Sequence, residues 1–98
     1  MKVITSQDIP NLTTQGRCVL QFSATWCGPC KTLKKTVEAN QGDLGVPFYV
    51  VDIDQEQALA SEMGIRAVPT LLLFEDGEII ARTTGNKSVS QLQDFIAS

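Results

Sequence analysis

The sequence predicts a single α/β domain spanning residues 1–98, in which a central mixed sheet of four to five strands is flanked by helices on both faces. Two observations indicate this class. Strand-like and helical segments alternate along the chain, which is typical of parallel strands joined by right-handed helical crossovers. The last two strand-like runs are separated only by an Asp-Gly pair, which predicts an antiparallel hairpin at one edge of the sheet.

The first clear strand and the first long helix follow each other closely. Residues 17–23 form an apolar, β-prone run and are predicted to be a buried strand. Residues 29–40 are predicted to be a helix, because Pro29 suits a first helical turn and Gly42 follows the helix end. The few residues between the two elements are therefore expected at the N-terminus of the helix.

A second strand and a short helix come next. Residues 46–53 are mostly apolar and are predicted to be a buried strand, with Pro47 near its start, where a missing N–H is tolerated. Residues 54–57 resemble a capping box that opens a short helix to Met63, and Gly64 closes this helix.

The hairpin is the strongest local signal in the chain. Two β-prone runs, 70–75 and 78–83, flank Asp76 and Gly77, a pair that suits the tight turn between antiparallel strands. The hairpin is therefore expected to supply an antiparallel edge to a sheet whose first strands run parallel.

The two ends of the chain complete this order. A short strand at 2–4 and a helical turn near 6–12 are expected before the first long strand. Residues 88–91 predict the capped start of a final helix. The side chains of this helix that are expected to face the core are Val89, Leu92, Phe95 and Ile96.

Composition and charge exclude several classes of function. A net charge of −3 leaves no global electrostatic reason to bind nucleic acid or an anionic membrane. The chain has no His, which removes Ser-His-Asp and Cys-His catalysis and every metal site that needs an imidazole. Its longest apolar runs, such as 46–51, fall far short of the roughly 20 residues that span a bilayer. The N-terminus lacks the apolar core of a signal peptide, so we expect a cytoplasmic protein.

The segment 26–31, Trp-Cys-Gly-Pro-Cys-Lys, lies where the first long strand turns into a helix. Thiol–disulfide exchange needs an exposed thiolate, a second thiol within reach and a means of lowering the pKa of the first. The two-residue spacing puts the cysteines within disulfide range, and the helix N-terminus favours a thiolate at Cys27. Cys30 lies one turn into the helix and is expected to be more buried and a poorer first nucleophile.

A Cys-x-x-Cys pair is also half of many metal sites. Tetrahedral zinc needs four ligands, whereas the chain has three cysteines and no His. A zinc site would require a carboxylate together with Cys18, which lies in the predicted apolar strand and is better explained as a small buried hydrophobe. An iron–sulfur cluster shared between two chains is no better supported, so we predict no metal site.

The order of these motifs resembles the thioredoxin family. The hexapeptide at 26–31 is followed by Ile-Arg-Ala-Val-Pro-Thr at 65–70, by the Asp-Gly hairpin and by Gly85, and the match covers nearly the whole chain. Glutaredoxins usually carry Cys-Pro-Tyr-Cys and disulfide isomerases Cys-Gly-His-Cys, so the Gly-Pro pair favours a reductant. A lowered thiol pKa in the Cys-x-x-Cys motif is a property of this family.

The resemblance implies the thioredoxin fold and a thiol–disulfide oxidoreductase that reduces protein disulfides. Cys27 would attack the substrate disulfide, and Cys30 would resolve the mixed disulfide by attacking Cys27. A cis peptide bond before Pro69 would place this proline against Cys27 and aim the Val68 backbone at the substrate like an added strand. The implied apolar contact surface comprises Trp26, Gly28, Pro29, Ile53, Val68, Pro69 and Gly85.

The resemblance also implies partners. A thioredoxin reductase or similar dithiol donor, expected to be an NADPH-dependent flavin enzyme, would return electrons to the Cys27–Cys30 pair, and protein disulfides would be the substrates. The redox-active disulfide itself carries the electrons, so no bound cofactor is expected, and we expect a monomer.

Four positions depart from the usual pattern of the family. Gln21 stands where a buried Asp is usual, and Val50 falls where a Lys is common in an ungapped register. Ser23 replaces a second Trp, and Lys35 replaces a Pro that kinks the active-site helix. We expect these departures to affect the proton-transfer step, but not the thiol–disulfide exchange itself.

Two other functions stay open on the sequence. In one, the fold is an accessory or binding subunit with a non-redox role, although an intact Trp-Cys-Gly-Pro-Cys argues against incidental cysteines. In the other, the pair acts as a dithiol oxidant or isomerase, and a reduction potential would distinguish this from a reductant.

Overall fold

A computed structural model describes all 98 residues. The elements in chain order are β1 (Lys2–Ile4), α1 (Ile9–Leu12), β2 (Arg17–Ser23), α2 (Gly28–Ala39), α3 (Gln41–Leu44), β3 (Phe48–Asp52), α4 (Gln57–Glu62), β4 (Thr70–Glu75), β5 (Glu78–Thr84) and α5 (Val89–Ile96). The five strands form one sheet in the order β1-β3-β2-β4-β5. Strands β1, β3 and β2 are parallel, whereas β4 is antiparallel to both β2 and β5. The predicted α/β class with a mixed sheet is confirmed.

Two apolar cores cover the two faces of this sheet. Because side chains alternate along a strand, odd-numbered positions of β2 and β4 face one core and even-numbered positions face the other. The first core lies under α2, α3 and α5, with Leu33 and Leu92 fully buried against the sheet. The second lies under α1 and α4, where Phe22 is fully buried. Helix α2 is therefore held rigidly over one face of the sheet.

The central strand β2 positions the cysteine motif. It pairs with β3 on one side and with β4 on the other, and its interior residues are all buried. The strand ends at Ser23, and α2 begins at Gly28, so the chain leaves the middle of the sheet and enters the helix within four residues. Cys27 is consequently the N-cap of α2, at the carboxyl edge of the parallel strands.

The region between α2 and β3 differs from the sequence expectation. Gly42 was expected beyond the helix end, but it lies inside a short additional helix, α3. The residue that ends this helix is Gly45, which has a left-handed φ of 73° that glycine adopts without steric cost. Pro47 immediately precedes β3 rather than lying inside it, so no ladder hydrogen bond is lost.

The two predicted capping boxes have different outcomes. At α5 the prediction is confirmed, because Ser88 Oγ accepts from the Gln91 N–H at 3.2 Å and Gln91 Oε1 accepts from the Ser88 N–H at 2.9 Å. At α4 the prediction of a box at 54–57 is wrong, because the N-cap is Glu56 and its side chain makes no capping bond. The Asp54 carboxylate is engaged elsewhere, by the indole of Trp26.

The predicted hairpin is confirmed. Asp76 and Gly77 both have positive φ, 50° and 90°, as the tight turn between β4 and β5 requires. None of the helices is long and apolar enough to traverse a bilayer.

Cys18 lies on the face of the sheet that α2 does not cover. It is 2% exposed and packs in the second core, and burial raises the pKa of its thiol. The expectation of a small buried hydrophobe is confirmed, and the side chain points away from the Cys27–Cys30 pair.

We expect the Cys18 thiol to be unreactive in the folded protein. Since burial both blocks access and raises the pKa, the thiolate that attacks an alkylating reagent is scarce at neutral pH. Oxidised protein treated with iodoacetamide should remain unlabelled when native and take up one label per chain in guanidinium, measured by mass spectrometry. Rapid labelling of the native oxidised protein would contradict this burial.

Candidate active site

Cys27 and Cys30 form a disulfide at the start of α2, with their Cα atoms 5.3 Å apart. The Cys30 N–H donates to Cys27 Sγ at 3.2 Å, and Pro29 occupies the first turn, where its missing N–H leaves no helical bond unmade. Both side chains are buried, at 5% and 3% exposure. Cys30 was expected to be clearly more buried than Cys27, but the difference in exposure is small. The two sulfurs differ instead in the residues that neighbour them.

The electrostatics of the helix start favour negative charge on Cys27. An α-helix presents unpaired N–H groups and the positive end of its dipole at its first turn. Here one of those N–H groups is directed at the Cys27 sulfur. The side chains of Lys31 and Lys34 are exposed on α2, so their contribution is screened by water. The helix terminus, rather than the lysines, is the main local source of thiolate stabilisation.

The loop before β4 lies against the outer sulfur. The Val68–Pro69 peptide bond is cis, as the resemblance implied, and the Val68 carbonyl oxygen lies 3.8 Å from Cys27 Sγ. The Gly85 N–H donates to the Pro69 carbonyl at 2.9 Å, which ties the end of β5 to this loop. Val68 and Ile53 pack against the disulfide from the two neighbouring loops.

Trp26 is the most exposed large apolar side chain, at 67%, and it is anchored by a polar contact. Its indole Nε1 donates to Asp54 Oδ2 at 3.0 Å. Asp54 follows β3, so this bond joins the loop after β2 to the loop after β3. Sequence reasoning assigned Asp54 to a helix cap and missed this role, because no local pattern marks a pairing across 28 residues.

The structure brings the expected contact residues to the same edge of the sheet, but not to the same depth. Trp26, Gly28 and Pro29 are exposed, whereas Ile53, Val68 and Gly85 are half-buried and Pro69 is buried. The first three follow β2, and the others come from the loops that adjoin the disulfide.

Gln21 lies beneath the disulfide, in the middle of β2. It is 1% exposed, and its Nε2 donates to the Cys30 carbonyl oxygen at 3.4 Å. Its Oε1 is buried without a hydrogen-bond partner in the protein. In the sheet it pairs directly with Val50, which is also buried. The amide thus contacts the backbone of the inner cysteine with one end and leaves an acceptor free at the other.

A cleft of about 240 Å³ opens beside Gln21 and Cys30. Sequence reasoning did not identify two of its polar residues as parts of the site, whereas it expected Lys34 to add a weak positive charge near the cysteines. The two missed residues are Ser23 on β2 and Asp52 at the end of β3. Strand periodicity would have placed Gln21 and Ser23 on one face, but only the pairing register between β2 and β3 adds Asp52 to that face.

The chain has no cluster of three or more His, Cys, Asp or Glu side chains that could hold a metal ion. Cys18 packs in the core under α1 and α4, whereas the disulfide lies at the start of α2 on the opposite face. The third cysteine therefore cannot complete a ligand set with the other two.

Comparison with known proteins agrees with this geometry. The family profile for thioredoxin matches residues 4–98. The chain belongs to the thioredoxin family. It is 39% identical to a thioredoxin of Aspergillus fumigatus over 88 residues (89% of this chain, 82% of the relative) and 33% identical to the thioredoxin of Bacillus subtilis over 94 residues (94% and 90%). The structure of Fasciola hepatica thioredoxin superposes with a TM-score of 0.88 at 31% identity, covering 99% of this chain and 97% of that one.

Thioredoxin membership establishes the general activity. The chain is a thiol–disulfide oxidoreductase, a protein-disulfide reductase whose redox-active group is the Cys27–Cys30 disulfide. Its electrons are carried by that disulfide, and the family relationship implies a thioredoxin reductase and protein disulfides as partners.

Replacing Gln21 with Asp should lower stability in a pH-dependent way. A buried carboxyl resists ionisation, and an ionised one would also lose the hydrogen bond to Cys30 O, so the folded-state pKa of Asp at this position should be raised. The stability loss then sets in as pH rises above the unfolded value of about 3.9 and levels off above the folded-state pKa. It amounts to about 1.4 kcal/mol for each unit by which the pKa is raised.

Denaturant melts of wild type and Gln21→Asp between pH 4 and 9 measure this difference. Gln15→Asp is the matched control, because Gln15 is exposed in a loop and the same chemical change there should have little effect. A Gln21→Asp protein as stable as wild type at pH 9 would show that this position does not impose the expected desolvation.

Proposed function

We propose that Cys27 is the attacking thiol and Cys30 the resolving thiol of a cytoplasmic protein-disulfide reductase. The observation that carries this assignment is the position of Cys27 as N-cap of α2, with a backbone N–H directed at its sulfur. Support also comes from its neighbours, since Cys27 faces the Val68 carbonyl near the outer surface, whereas Cys30 borders the cleft beside Gln21.

The reaction proceeds by two displacements at sulfur. The Cys27 thiolate attacks one sulfur of the substrate disulfide, which forms a mixed disulfide and releases the other substrate sulfur as a thiolate that takes a proton from water. Cys30 then loses its proton and attacks Cys27 Sγ. The Cys27–Cys30 bond forms, the bond to the substrate breaks, and the second substrate sulfur leaves as a thiolate.

The substrate segment is proposed to bind across Trp26 and the loop at Val68. The Val68 N–H and C=O make no backbone hydrogen bond within the protein, so they can pair with an extended peptide as a sheet edge does. Trp26, Ile53 and Pro29 supply apolar area around this edge, and Gly28 and Gly85 allow close approach because they carry no side chain. Pro69 holds the Val68 backbone in place against the disulfide.

The proposed electron donor is an NADPH-dependent flavin reductase, and the chain is proposed to act as a monomer. A cytoplasmic location is consistent with the cysteine usage, because a reducing compartment keeps a buried thiol such as Cys18 unpaired and reserves the disulfide for exchange.

Cysteine variants test the assignment of the two thiols. In an insulin-reduction assay with dithiothreitol as electron source, Cys27→Ser should abolish activity, because no thiolate remains to attack. Cys30→Ser should instead accumulate covalent mixed disulfides with protein substrates, because the product of the first step has no resolving thiol. Non-reducing gels and mass spectrometry detect these adducts.

Cys18→Ala is the control for these variants, since it removes a thiol from the opposite face of the sheet and should keep full activity. If Cys27→Ser traps substrates and Cys30→Ser does not, the roles of the two cysteines are reversed. If the Cys27→Ser, Cys30→Ser double variant retains the biological function in cells, the fold serves as a non-redox subunit. A measured reduction potential near that of protein disulfide isomerase, about −180 mV, would identify an isomerase or oxidant instead.

A further inference from the structure

The inner cleft, lined by Gln21, Ser23, Cys30, Lys31, Lys34 and Asp52, lies beside the resolving cysteine. Its volume of about 240 Å³ has room for several waters, each of which occupies about 30 Å³ in the liquid. Val3 of the edge strand β1 also borders it and is exposed. The cleft is partly open to solvent, and Cys30 forms part of its lining.

The sheet register places the polar lining of the inner cleft. In the parallel pair of β2 and β3, Gln21 lies beside Val50 and Ser23 lies beside Asp52. Residues two apart on a strand share a face, so Gln21, Ser23 and Asp52 all project toward α2. Helix α2 covers this face and contributes Cys30 and two lysines to the cleft.

The Gln21 amide is hydrogen-bonded at one end only. Its Nε2 is engaged by the Cys30 carbonyl, which leaves Oε1 as a buried acceptor with no partner from the protein. A buried polar atom without a hydrogen-bond partner is destabilising, and a water in the adjoining cleft would donate to it. Cys30 lines the same cleft, so a water held there would lie near its sulfur.

Resolution of the mixed disulfide requires Cys30 to lose a proton, and Gln21 has no group that can take it. The other ionisable groups of the cleft are Lys31, Lys34 and Asp52. Protonated lysines have no lone pair to accept a proton, whereas a carboxylate does. The nearby Asp54 carboxylate is exposed and engaged by Trp26, so Asp52 is the one base that faces the cleft.

The hydrogen bonding of Asp52 leaves it free for this role. Its Oδ1 accepts from the Asp54 N–H at 2.8 Å, which fixes the side chain at the end of β3. No protein group donates to its second carboxylate oxygen. Exposed Lys31 and Lys34 line the cleft with it from α2, while β1 and β2 contribute only the uncharged Val3, Gln21 and Ser23.

We infer that Asp52 accepts the Cys30 proton through water held at Gln21 Oε1; the inference rests on the proposed role of Cys30 as resolving thiol. The Cys30 S–H donates its proton to the cleft water as that water passes one of its own protons to Asp52. The Cys30 thiolate attacks Cys27, the Cys27–Cys30 bond forms, and the substrate leaves as a thiolate that is protonated by solvent. Asp52 then returns its proton to solvent through the open cleft. Gln21 is a positioning residue in this step.

Stopped-flow reaction of excess reduced protein with 5,5′-dithiobis(2-nitrobenzoate) separates the two displacements. The first release of thionitrobenzoate reports attack by Cys27, and the second, independent of protein concentration, reports resolution by Cys30. Asp52→Asn should slow the second phase at least about tenfold at neutral pH. This is a modest effect compared with the usual contribution of a general base. The first phase should be unchanged. Asn retains an oxygen to accept from the Asp54 N–H, so the turn at the end of β3 should be preserved and the melting temperature unchanged.

The dependence of the second-phase rate on pH tests the role of Asp52 most directly. In wild type its rate should fall at acidic pH as Asp52 becomes protonated, and this inflection should be absent in Asp52→Asn. The two proteins should converge at high pH, where hydroxide removes the Cys30 proton without assistance. Gln21→Met keeps the side-chain volume but removes the acceptor, so it should slow the second phase while retaining the acidic inflection.

Asp94→Asn is the matched control, because it removes an equal charge from an exposed position on α5 outside the cleft and should change neither phase. The inference is overturned if Asp52→Asn resolves as fast as wild type across the pH range, or if it slows both phases equally, which would indicate a general field effect. A missing first phase in wild type would instead contradict the proposed role of Cys27. Restoration of the acidic inflection by Asp52→Glu would support a base at this position.

Discussion

The contact on which the site depends is the hydrogen bond from the Cys30 N–H to Cys27 Sγ at the start of α2. A helix begins with N–H groups that need acceptors, and most helices satisfy one of them with a Ser, Thr, Asp or Asn side chain. Here a sulfur takes that place. The atom that serves the helix as an acceptor is the sulfur proposed to react as a thiolate, so we expect any change that displaces the helix start to alter the reactivity of Cys27 as well.

Rigid attachment of α2 to the sheet makes this arrangement reproducible. Leu33 and Val37 are fully buried against the sheet. Strand β2, which precedes the helix in the chain, is the central strand of the sheet. Opposite the helix start, the cis-proline loop is tied to the end of β5 through Gly85. The two sulfurs therefore lie between helix α2 and the cis-proline loop, which come from different parts of the chain. Both are held in place by buried packing or backbone hydrogen bonds.

Much of this could be predicted from the sequence. Local patterns predicted all the long elements. For example, Asp76-Gly77 is a typical hairpin turn, and Ser88 is a typical N-cap residue of a helix. The family motif located the two cysteines and the proline loop. What could not be predicted depends on contacts between distant segments. The sequence suggests a helix cap at Asp54, and only the structure shows its bond to Trp26. Asp52 lies within a predicted buried strand, and only the pairing register places it beside Ser23. Short helix α3 was missed because four residues carry too little periodicity to signal a helix.

The bond between Trp26 and Asp54 has a practical consequence for spectroscopy. The chain contains a single tryptophan, and its indole is held beside the cysteines rather than in either apolar core. Its emission therefore originates at the reactive edge of the molecule and nowhere else. An intrinsic fluorophore next to the disulfide is suited to following the reduction of that bond without an attached dye.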